Sequence, residues 1–245
     1  MKRIISFCLI LALALFFRAS AYADLMNVGG TLKYFDQNGR EAEKIGLDVS
    51  YYNNQVDYYA LKSQGFDFVL VRLGGRGWGI TGNLYDDSQT QANLRNAHDA
   101  GLEVGAYFYS TAINHAEAIE EAASAISILN GFELDLPLFI DMEYSGNYPH
   151  GRADTLSPGK RADIATAFCD AVESAGYKCG IYASEGYVRF DLDSLPFSRL
   201  PLWMASYTVD NLLPQYIHSY QIWQQSDSAY AGGADGSFDL NIRFS

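Results

Sequence analysis

The stretch that decides the fold is Leu136-Pro137-Leu138-Phe139-Ile140-Asp141-Met142-Glu143-Tyr144. It is an apolar run that ends in two acidic residues. Successive side chains of a strand point to opposite faces, so Asp141 and Glu143 are predicted to project from the same face. Two carboxyl groups held close together in a low-dielectric site cannot both ionise freely, and one becomes a proton donor beside a carboxylate. Such a pair can cleave an acetal, although acidic residues also occur where a strand simply ends in solvent.

The first 23 residues have the pattern of a secretory signal peptide. Lys2 and Arg3 precede an apolar run over residues 4–17, and Ala21-Tyr22-Ala23 places small residues where signal peptidase cuts. The apolar run is shorter than the ~20 residues that a membrane-spanning helix needs. We therefore expect residues 1–23 to be removed. The mature protein is expected to be secreted, extracellular or associated with the cell wall, with no membrane span.

The chain is strongly acidic, with 17 Lys and Arg residues against 29 Asp and Glu residues and a net charge of −12. The charged residues of the signal peptide are all basic, so its removal makes the net charge of the protein more negative. This charge argues against nucleic acid and anionic membrane surfaces as partners. A polymeric substrate that carries negative charge must therefore be held by stacking and hydrogen bonds. We expect a monomer.

The cysteines and histidines give no indication of a metal site. Cys8 lies in the predicted signal peptide, and Cys169 and Cys179 remain as an even pair in an oxidising compartment. A disulfide between them is plausible because a helix and the strand that follows it are neighbours, but the sequence cannot certify the geometry. No His and Cys cluster has metal-ligand spacing, so we predict neither a metal nor a cofactor.

Residues 24–43 are predicted to form a leader ahead of the main domain. From Gly30 to Arg40, bulky residues alternate and lead into an Asn38-Gly39 turn, a pattern typical of a short hairpin. The segment resembles half of one repeat from aromatic cell-wall-binding modules. A single hairpin is marginal in water, so wall binding by this leader is only a hypothesis.

Residues 44–245 are predicted to form one α/β domain. Short apolar runs predict eight strands, over 45–50, 66–74, 103–110, 136–144, 178–184, 201–207, 219–226 and 238–244. Amphipathic segments predict four helices, over 56–64, 88–100, 114–130 and 157–175. This alternation indicates a parallel sheet with crossover helices, and eight strands indicate a closed, TIM-like (β/α) barrel. The last three strands lack clear helical segments between them, so we expect an incomplete helical ring, about (β/α)5(β)3.

In such a barrel the carboxyl ends of the strands line the mouth, where catalytic residues lie. Asp48 and Asp239 alternate with apolar residues on the first and last strands. These strands adjoin when a barrel closes, so Asp48 and Asp239 are predicted to lie side by side. They would face Asp141 and Glu143 across the mouth. The sequence thus predicts one pocket with four carboxyl groups.

Aromatic side chains are predicted at the same rim, and flat rings with a polar edge suit the faces of sugar rings and acyl groups. The candidate substrate-binding residues are Tyr107, Tyr109, Tyr182, Trp203, Tyr207, Trp223 and Gln224. For Tyr109 and Trp203, packing inside the barrel is an equally good interpretation.

A glycine-rich motif, Gly74-Gly75-Arg76-Gly77-Trp78-Gly79, follows the second predicted strand. It lacks the Lys-Ser/Thr ending of a phosphate-binding loop. We therefore expect a flexible barrel loop at this position.

Taken together, these residues resemble the glycoside hydrolase family 25 lysozymes, which are N-acetylmuramidases. The resemblance begins with residues 46–50 and the acid pair in residues 139–143, and it covers the chain from about residue 44 to the end. Further similar blocks follow in the family order, over residues 100–108, 180–182, 202–207, 222–224 and 239–241. The family implies a flattened barrel and hydrolysis of the β-1,4 bond between N-acetylmuramic acid and N-acetylglucosamine in peptidoglycan.

The resemblance also implies roles for the four acids. Glu143 matches the general acid, and Asp141, Asp48 and Asp239 match the other carboxyl groups of the pocket. The family is regarded as retaining; we favour assistance by the substrate's acetamido group, with Asp141 orienting that group. Two alternatives remain open, namely a secreted glycan-binding protein that no longer cleaves and a chitinase-like glycosidase.

The chain departs from the family pattern at two places. Many relatives carry Thr-Glu-Gly after the second strand, where this chain has Leu73-Gly74-Gly75, and an aromatic residue often stands where Gln225 lies. Neither departure touches the four acids. Activity is therefore expected to persist, whereas the preferred form of peptidoglycan is not defined by the sequence.

Overall fold

The computed structural model describes residues 24–53, 55–146, 150–207, 213–214, 220–233 and 236–244. The predicted signal peptide lies outside these residues. Within them, no helix combines the length and apolar character needed to cross a membrane.

The described chain begins with a small hairpin of β1 (Asp24–Val28) and β2 (Thr31–Phe35). Its turn is formed by Gly29 and Gly30, whose φ angles of 64° and 94° suit a tight hairpin connection. The predicted Asn38-Gly39 turn instead follows β2 and leads to a single bridge between Phe35 and Glu41. The leader therefore contains a hairpin, but Gly-Gly rather than Asn-Gly closes it.

Eight strands form the closed barrel and confirm the predicted α/β barrel fold. They are β3 (Lys44–Val49), β4 (Phe68–Arg76), β6 (Glu103–Tyr109), β7 (Leu138–Asp141), β8 (Cys179–Ser184), β9 (Leu202–Ala205), β10 (Ile222–Ala229) and β11 (Phe238–Arg243). Neighbours around the barrel follow this order, and β11 pairs with β3 to close it. A short additional strand, β5 (Leu84–Asp86), pairs with the end of β4.

The final strand corrects the prediction of a parallel sheet. β11 runs antiparallel to both β10 and β3. Its connection from Ala229 to Phe238 is shorter than the dozen or more residues that a parallel crossover needs. The amino end of β11 therefore lies at the barrel mouth, and Asp239 faces Asp48 in the register.

In the described part of the chain, helices follow the first five strands of the barrel. They are α1 (Tyr58–Gln64), α2 (Thr90–Asp99), α3 (His115–Leu129), α4 (Pro158–Ser174) and α5 (Glu185–Asp191). The first four match the predicted helices, whereas α5 was not predicted. After β9, the part of the chain that the structure describes contains no helix, in agreement with the incomplete helical ring. A disulfide joins Cys169 of α4 to Cys179 of β8, with the two Cα atoms 5.2 Å apart.

The alternation along the strands separates two hydrophobic clusters. The inner one fills the barrel and includes Phe68, Phe139 and Trp203. The larger cluster lies between the strands and the helices and includes Ile140 and Met142. Side chains that alternate with the inner residues therefore pack against the helices. The polar residues at the strand ends line the mouth of the barrel.

Candidate active site

An open cleft of about 790 Å³ lies at the mouth of the barrel. All four predicted acids line it, namely Asp48, Asp141, Glu143 and Asp239. Five of the predicted binding residues also line it, namely Tyr107, Tyr109, Tyr182, Trp203 and Gln224. Segments that are far apart in the sequence thus converge on one cleft.

Asp48 and Asp239 form a pair of interacting carboxyl groups. Burial raises the pKa of Asp48 well above its usual range, and the negative charge of Asp239 raises it further. Burial also raises the pKa of Asp239, while its hydrogen bond with Asp48 lowers it. The pair therefore holds a proton to a higher pH than two isolated aspartates would, and this titration belongs to both carboxyl groups.

Two side-chain amides fix the orientation of Asp48. Gln224 Nε2 and Asn241 Nδ2 each donate to Asp48 Oδ2, at 2.8 Å in both cases. Asn241 in turn accepts a hydrogen bond of 2.7 Å from the indole nitrogen of Trp203. Asn241 does not appear among the predicted site residues, although it shares the alternation phase of Asp239.

Gln224 connects the acids to two tyrosines. The hydroxyls of Tyr182 and Tyr207 donate to Gln224 Oε1, at 2.8 Å and 2.5 Å. Tyr182 is buried in the cleft floor, whereas Tyr207 is 51% exposed and does not line the cleft. Tyr207 therefore reaches the site through Gln224 and Tyr182 and not from the cleft wall.

Asp141 is buried at the end of β7, and its Oδ1 has no hydrogen-bond partner among the described residues. Burial raises the pKa of Asp141 well above its usual range, and the neighbouring charge of Glu143 raises it further, while Arg72 opposes this shift. A buried carboxyl oxygen without a partner is unfavourable in an empty site. It is suited to accept a hydrogen bond from a bound ligand.

Glu143 lies two residues beyond β7 and is exposed to the solvent of the cleft. Apolar walls therefore do not enclose its carboxyl group. The surrounding cleft wall still withdraws solvent from one side of the carboxyl group, which raises the pKa of Glu143. The charge of Arg72 lowers this pKa and that of Asp239 raises it. The result is a carboxyl group that a substrate can reach and that holds its proton more tightly than an isolated glutamate.

Trp223 does not line the cleft, contrary to the prediction. It is fully buried on the outer side of the barrel, where its indole nitrogen donates to Ser206 O at 2.9 Å and its ring meets Tyr34 of the leader. Trp223 and Gln224 are adjacent in β10, so only one of them can point inward. Gln224 takes the inward position.

Arg72 and the aromatic residues around it are not among the site residues predicted from the sequence. The Arg72 guanidinium lies 5.8 Å from the ring centres of Tyr51 and Tyr52 and 5.4 Å from that of Tyr85, to whose hydroxyl it also donates. All four residues line the cleft. A single charged residue inside the apolar run of β4 was the available signal.

The described residues contain no group of three or more His, Cys, Asp and Glu side chains arranged to hold a metal ion. The chemistry of the cleft is that of carboxyl groups, amides, phenols and one guanidinium. The prediction that the protein uses no metal stays a prediction.

A mixed (β/α) barrel with carboxyl groups gathered in an open cleft at its mouth defines the class of barrel-shaped glycosidases. Comparison with known families agrees with this class. The family model for Glycosyl hydrolases family 25 matches residues 47–234. The chain therefore belongs to glycosyl hydrolase family 25.

Similar proteins include two curated lysozymes. The autolytic lysozyme of Clostridium acetobutylicum is 29% identical over 196 residues, which are 80% of this chain and 54% of that protein. Lysozyme M1 of Streptomyces globisporus is 26% identical over 210 residues, which cover 80% of this chain and 66% of that protein. The chain thus spans between about half and two thirds of the length of these relatives.

Solved structures show the same fold. The modular autolysin LytC from Streptococcus pneumoniae, in complex with a synthetic peptidoglycan ligand, superposes with a TM-score of 0.74 at 20% identity, over 91% of this chain and 52% of that one. A bacterial lysozyme from Streptomyces coelicolor gives a TM-score of 0.68 at 23% identity, over 82% of this chain and 91% of that one.

Proposed function

We propose that this protein is a lysozyme that hydrolyses the β-1,4 bond between N-acetylmuramic acid and N-acetylglucosamine in peptidoglycan. Membership of glycosyl hydrolase family 25 and similarity to two lysozymes support this proposal. The observation that carries it is the convergence of Asp48, Asp141, Glu143 and Asp239 on one open cleft. Buried carboxyl groups with raised pKa values in a cleft favour acid catalysis over simple sugar binding.

Glu143 acts as the general acid and then as the general base. Its exposed position lets it reach the glycosidic oxygen, and its raised pKa favours the protonated form needed at the start. The proton moves from Glu143 to the oxygen of the departing N-acetylglucosamine as the bond to C1 of N-acetylmuramic acid breaks. In the second step the Glu143 carboxylate takes a proton from water, and the water oxygen bonds to C1 as the bond between C1 and the acetamido oxygen of the sugar breaks.

The nucleophile of the first step is the acetamido oxygen of the N-acetylmuramic acid itself. Asp141 accepts the acetamido N–H through its unpartnered Oδ1 and stabilises the positive ring that forms when the oxygen bonds to C1. Asp141 and Glu143 leave the barrel wall from the same side of one strand end, so they need not flank the scissile bond from opposite faces. Two displacements at C1 retain its configuration.

The Asp48–Asp239 pair and the aromatic floor hold the substrate. The carboxyl pair stabilises the developing positive charge at C1, while Gln224 and Asn241 keep Asp48 in place. Tyr107, Tyr109, Tyr182 and Trp203 offer rings to the sugars. The protein is proposed to act as a monomer without a cofactor, after secretion, on glycan strands of the cell wall.

The experiment that tests this function compares two polymers. The purified protein without residues 1–23 is incubated with peptidoglycan and, separately, with chitin, and soluble reducing ends are measured. We expect reducing ends from peptidoglycan and none from chitin. Digestion of chitin alone would indicate a chitinase-like enzyme, and retention on cell walls without any cleavage would indicate a glycan-binding protein.

A further inference from the structure

The loop between β4 and β5 exposes large apolar side chains beside the cleft. Trp78 is 41% exposed and lines the cleft, and Ile80 is 97% exposed. Both belong to the segment that follows the glycine-rich motif of β4. The proposed hydrolysis at the four acids assigns no task to this loop.

Hydrogen bonds hold the backbone of this loop in place, contrary to the flexible loop expected from its glycines. Gly77 N donates to Asn83 O at 2.9 Å across its base. Arg152 N donates to Trp78 O at 3.0 Å, and Arg76 Nη1 donates to Gly82 O at 2.9 Å. The loop therefore presents Trp78 in a defined position rather than as a mobile side chain on a mobile backbone.

A buried ion network lies beneath the loop. Arg76 pairs with Glu121 at 2.8 Å, and Arg152 pairs with Glu117 at 2.6 Å. The same two arginines bond the loop backbone, so the network ties the loop to α3. A rigid loop that keeps a large ring in contact with solvent loses the hydrophobic stabilisation of that ring unless a ligand covers it.

Two further exposed rings continue the same side of the cleft. Tyr51 and Tyr52 are 42% and 68% exposed, follow β3, and stack on each other with ring centres 3.9 Å apart. β3 and β4 are neighbours in the barrel, so the two tyrosines and Trp78 form one wall, which we call the aromatic wall. Single exposed rings are ordinary on a protein surface, but three on one side of a catalytic cleft indicate a binding surface.

We propose that the aromatic wall of Tyr51, Tyr52 and Trp78 is a remote subsite that stacks on a sugar ring of the glycan strand beyond the two sugars joined by the cleaved bond. The proposal rests on the proposed function. It names the residues by which the protein would bind long glycan strands more tightly than short ones. A strongly acidic protein cannot hold a polymer that carries lactyl and peptide carboxylates by charge. Stacking on pyranose faces supplies the affinity instead.

The test measures binding in a background that cannot cleave, Glu143→Gln. The ligands are peptide-free glycan strands of six or more sugars, prepared from peptidoglycan, and the disaccharide of N-acetylmuramic acid and N-acetylglucosamine. We expect Trp78→Ala to raise the Kd for the long strands roughly three- to tenfold, the range of one aromatic contact. The Kd for the disaccharide should change less than that for the long strands, because the proposed subsite lies beyond the two sugars joined by the cleaved bond.

Two controls accompany this variant. Trp78→Tyr keeps a ring and should restore most of the affinity for long strands. Tyr230→Ala removes a ring that is 72% exposed outside the cleft and should have no effect on either ligand. Thermal unfolding of each variant verifies that the fold is intact.

The proposal is overturned if Trp78→Ala leaves the Kd for long strands unchanged, if it weakens both ligands equally, or if the parent binds no long strands. Failure of the proposed hydrolysis gives a different result. In that case the protein with Glu143 intact releases no reducing ends, while the difference between long strands and disaccharide still reports on the aromatic wall.

Discussion

The molecule contains two clusters of acidic side chains at the same end of the barrel, and they are built in opposite ways. Glu121 and Glu117, beneath the β4–β5 loop, pair with Arg76 and Arg152 at 2.8 Å and 2.6 Å. In the cleft, the described residues give Asp141 no ion pair and leave one of its oxygens without a partner. Paired acids fix structure, whereas unpaired buried acids are retained where chemistry needs them.

Carboxyl groups of both clusters have shifted pKa values. Burial raises the pKa of Glu121 to about 7 even beside Arg76, and the hydrogen bonds and charge of Arg152 bring the pKa of Glu117 below its ordinary value despite partial burial. The pKa values of Asp48 and Asp141 lie well above the ordinary value. Burial therefore raises the pKa of carboxyl groups in both clusters, and of these four groups only Glu117 has a lowered pKa, because of its hydrogen bonds and ion pair with Arg152.

The largest effect is expected from Glu143→Gln, which keeps the shape of the side chain and removes the proton donor. Turnover of purified peptidoglycan should fall about 10³-fold, the scale of general acid catalysis. Thermal unfolding should be unchanged because Glu143 is exposed. Glu133→Gln, an exposed residue outside the cleft, is the matched control. Near-normal release of reducing ends by Glu143→Gln refutes the assignment.

The second effect concerns the paired cluster. Arg76→Met leaves the fully buried Glu121 without its cation and should lower the free energy of unfolding by about 3 kcal/mol, as measured by urea denaturation. Arg199→Met is the control, because its pair with Glu173 at 2.7 Å is exposed and such pairs contribute at most about 1 kcal/mol. Equal losses in both variants would remove the distinction between buried and surface pairs.

Asp141→Asn tests the acids of the cleft, where we expect activity to fall without a loss of stability. The turnover number should fall about 10²-fold, because the amide cannot stabilise the positive charge that develops on the acetamido group. The free energy of unfolding at neutral pH should stay equal or rise, because a buried charge without an ion pair is gone. If Asp141→Asn keeps its turnover and instead loses stability, as we expect Arg76→Met to do, then Asp141 belongs with the acids that fix structure.

The smallest effect is a difference in how stability depends on pH. Asp141 has a raised pKa in the folded state, so the native protein binds the extra proton and loses stability as pH rises above the ordinary value near 4. The advantage of Asp141→Asn over the parent should therefore grow with pH, by at most about 1.4 kcal/mol per pH unit.

Glu117 should behave in the opposite sense. Its lowered pKa contributes stability that is present above the ordinary value near 4.5 and is lost as pH falls. The deficit of Glu117→Gln should be constant near neutral pH and disappear on acidification, again measured by urea denaturation. Slopes of the same sign for the Asp141 and Glu117 variants would contradict the comparison.

Most of the fold could be predicted because each barrel strand is a short apolar run bounded by turns. All eight barrel strands and α1 to α4 were found in this way. β5 has three residues, too few to show the period of a strand. α5 begins at Glu185, directly after β8 ends at Ser184, so no turn in the sequence separates the two elements. The direction of β11 depends on the length of its connection, which the apolar pattern does not report.

The site residues could be predicted where the alternation of side chains along a strand is enough to decide whether a side chain points into the barrel. Asp141 with Glu143, and Asp48 with Asp239, lie in the cleft as expected. Trp223 was assigned inward together with its neighbour Gln224, which the period of two forbids. The hydrogen bonds of Asn241 and the position of Arg72 depend on distant segments that only the folded barrel brings together.

The most direct test of the central claim is mass analysis of the products from purified peptidoglycan after chemical reduction of their new ends. The protein with Glu143 should yield muropeptides that carry reduced N-acetylmuramic acid at the new terminus, and Glu143→Gln should yield almost none. Products that end in reduced N-acetylglucosamine, or equal yields from both proteins, would contradict the account.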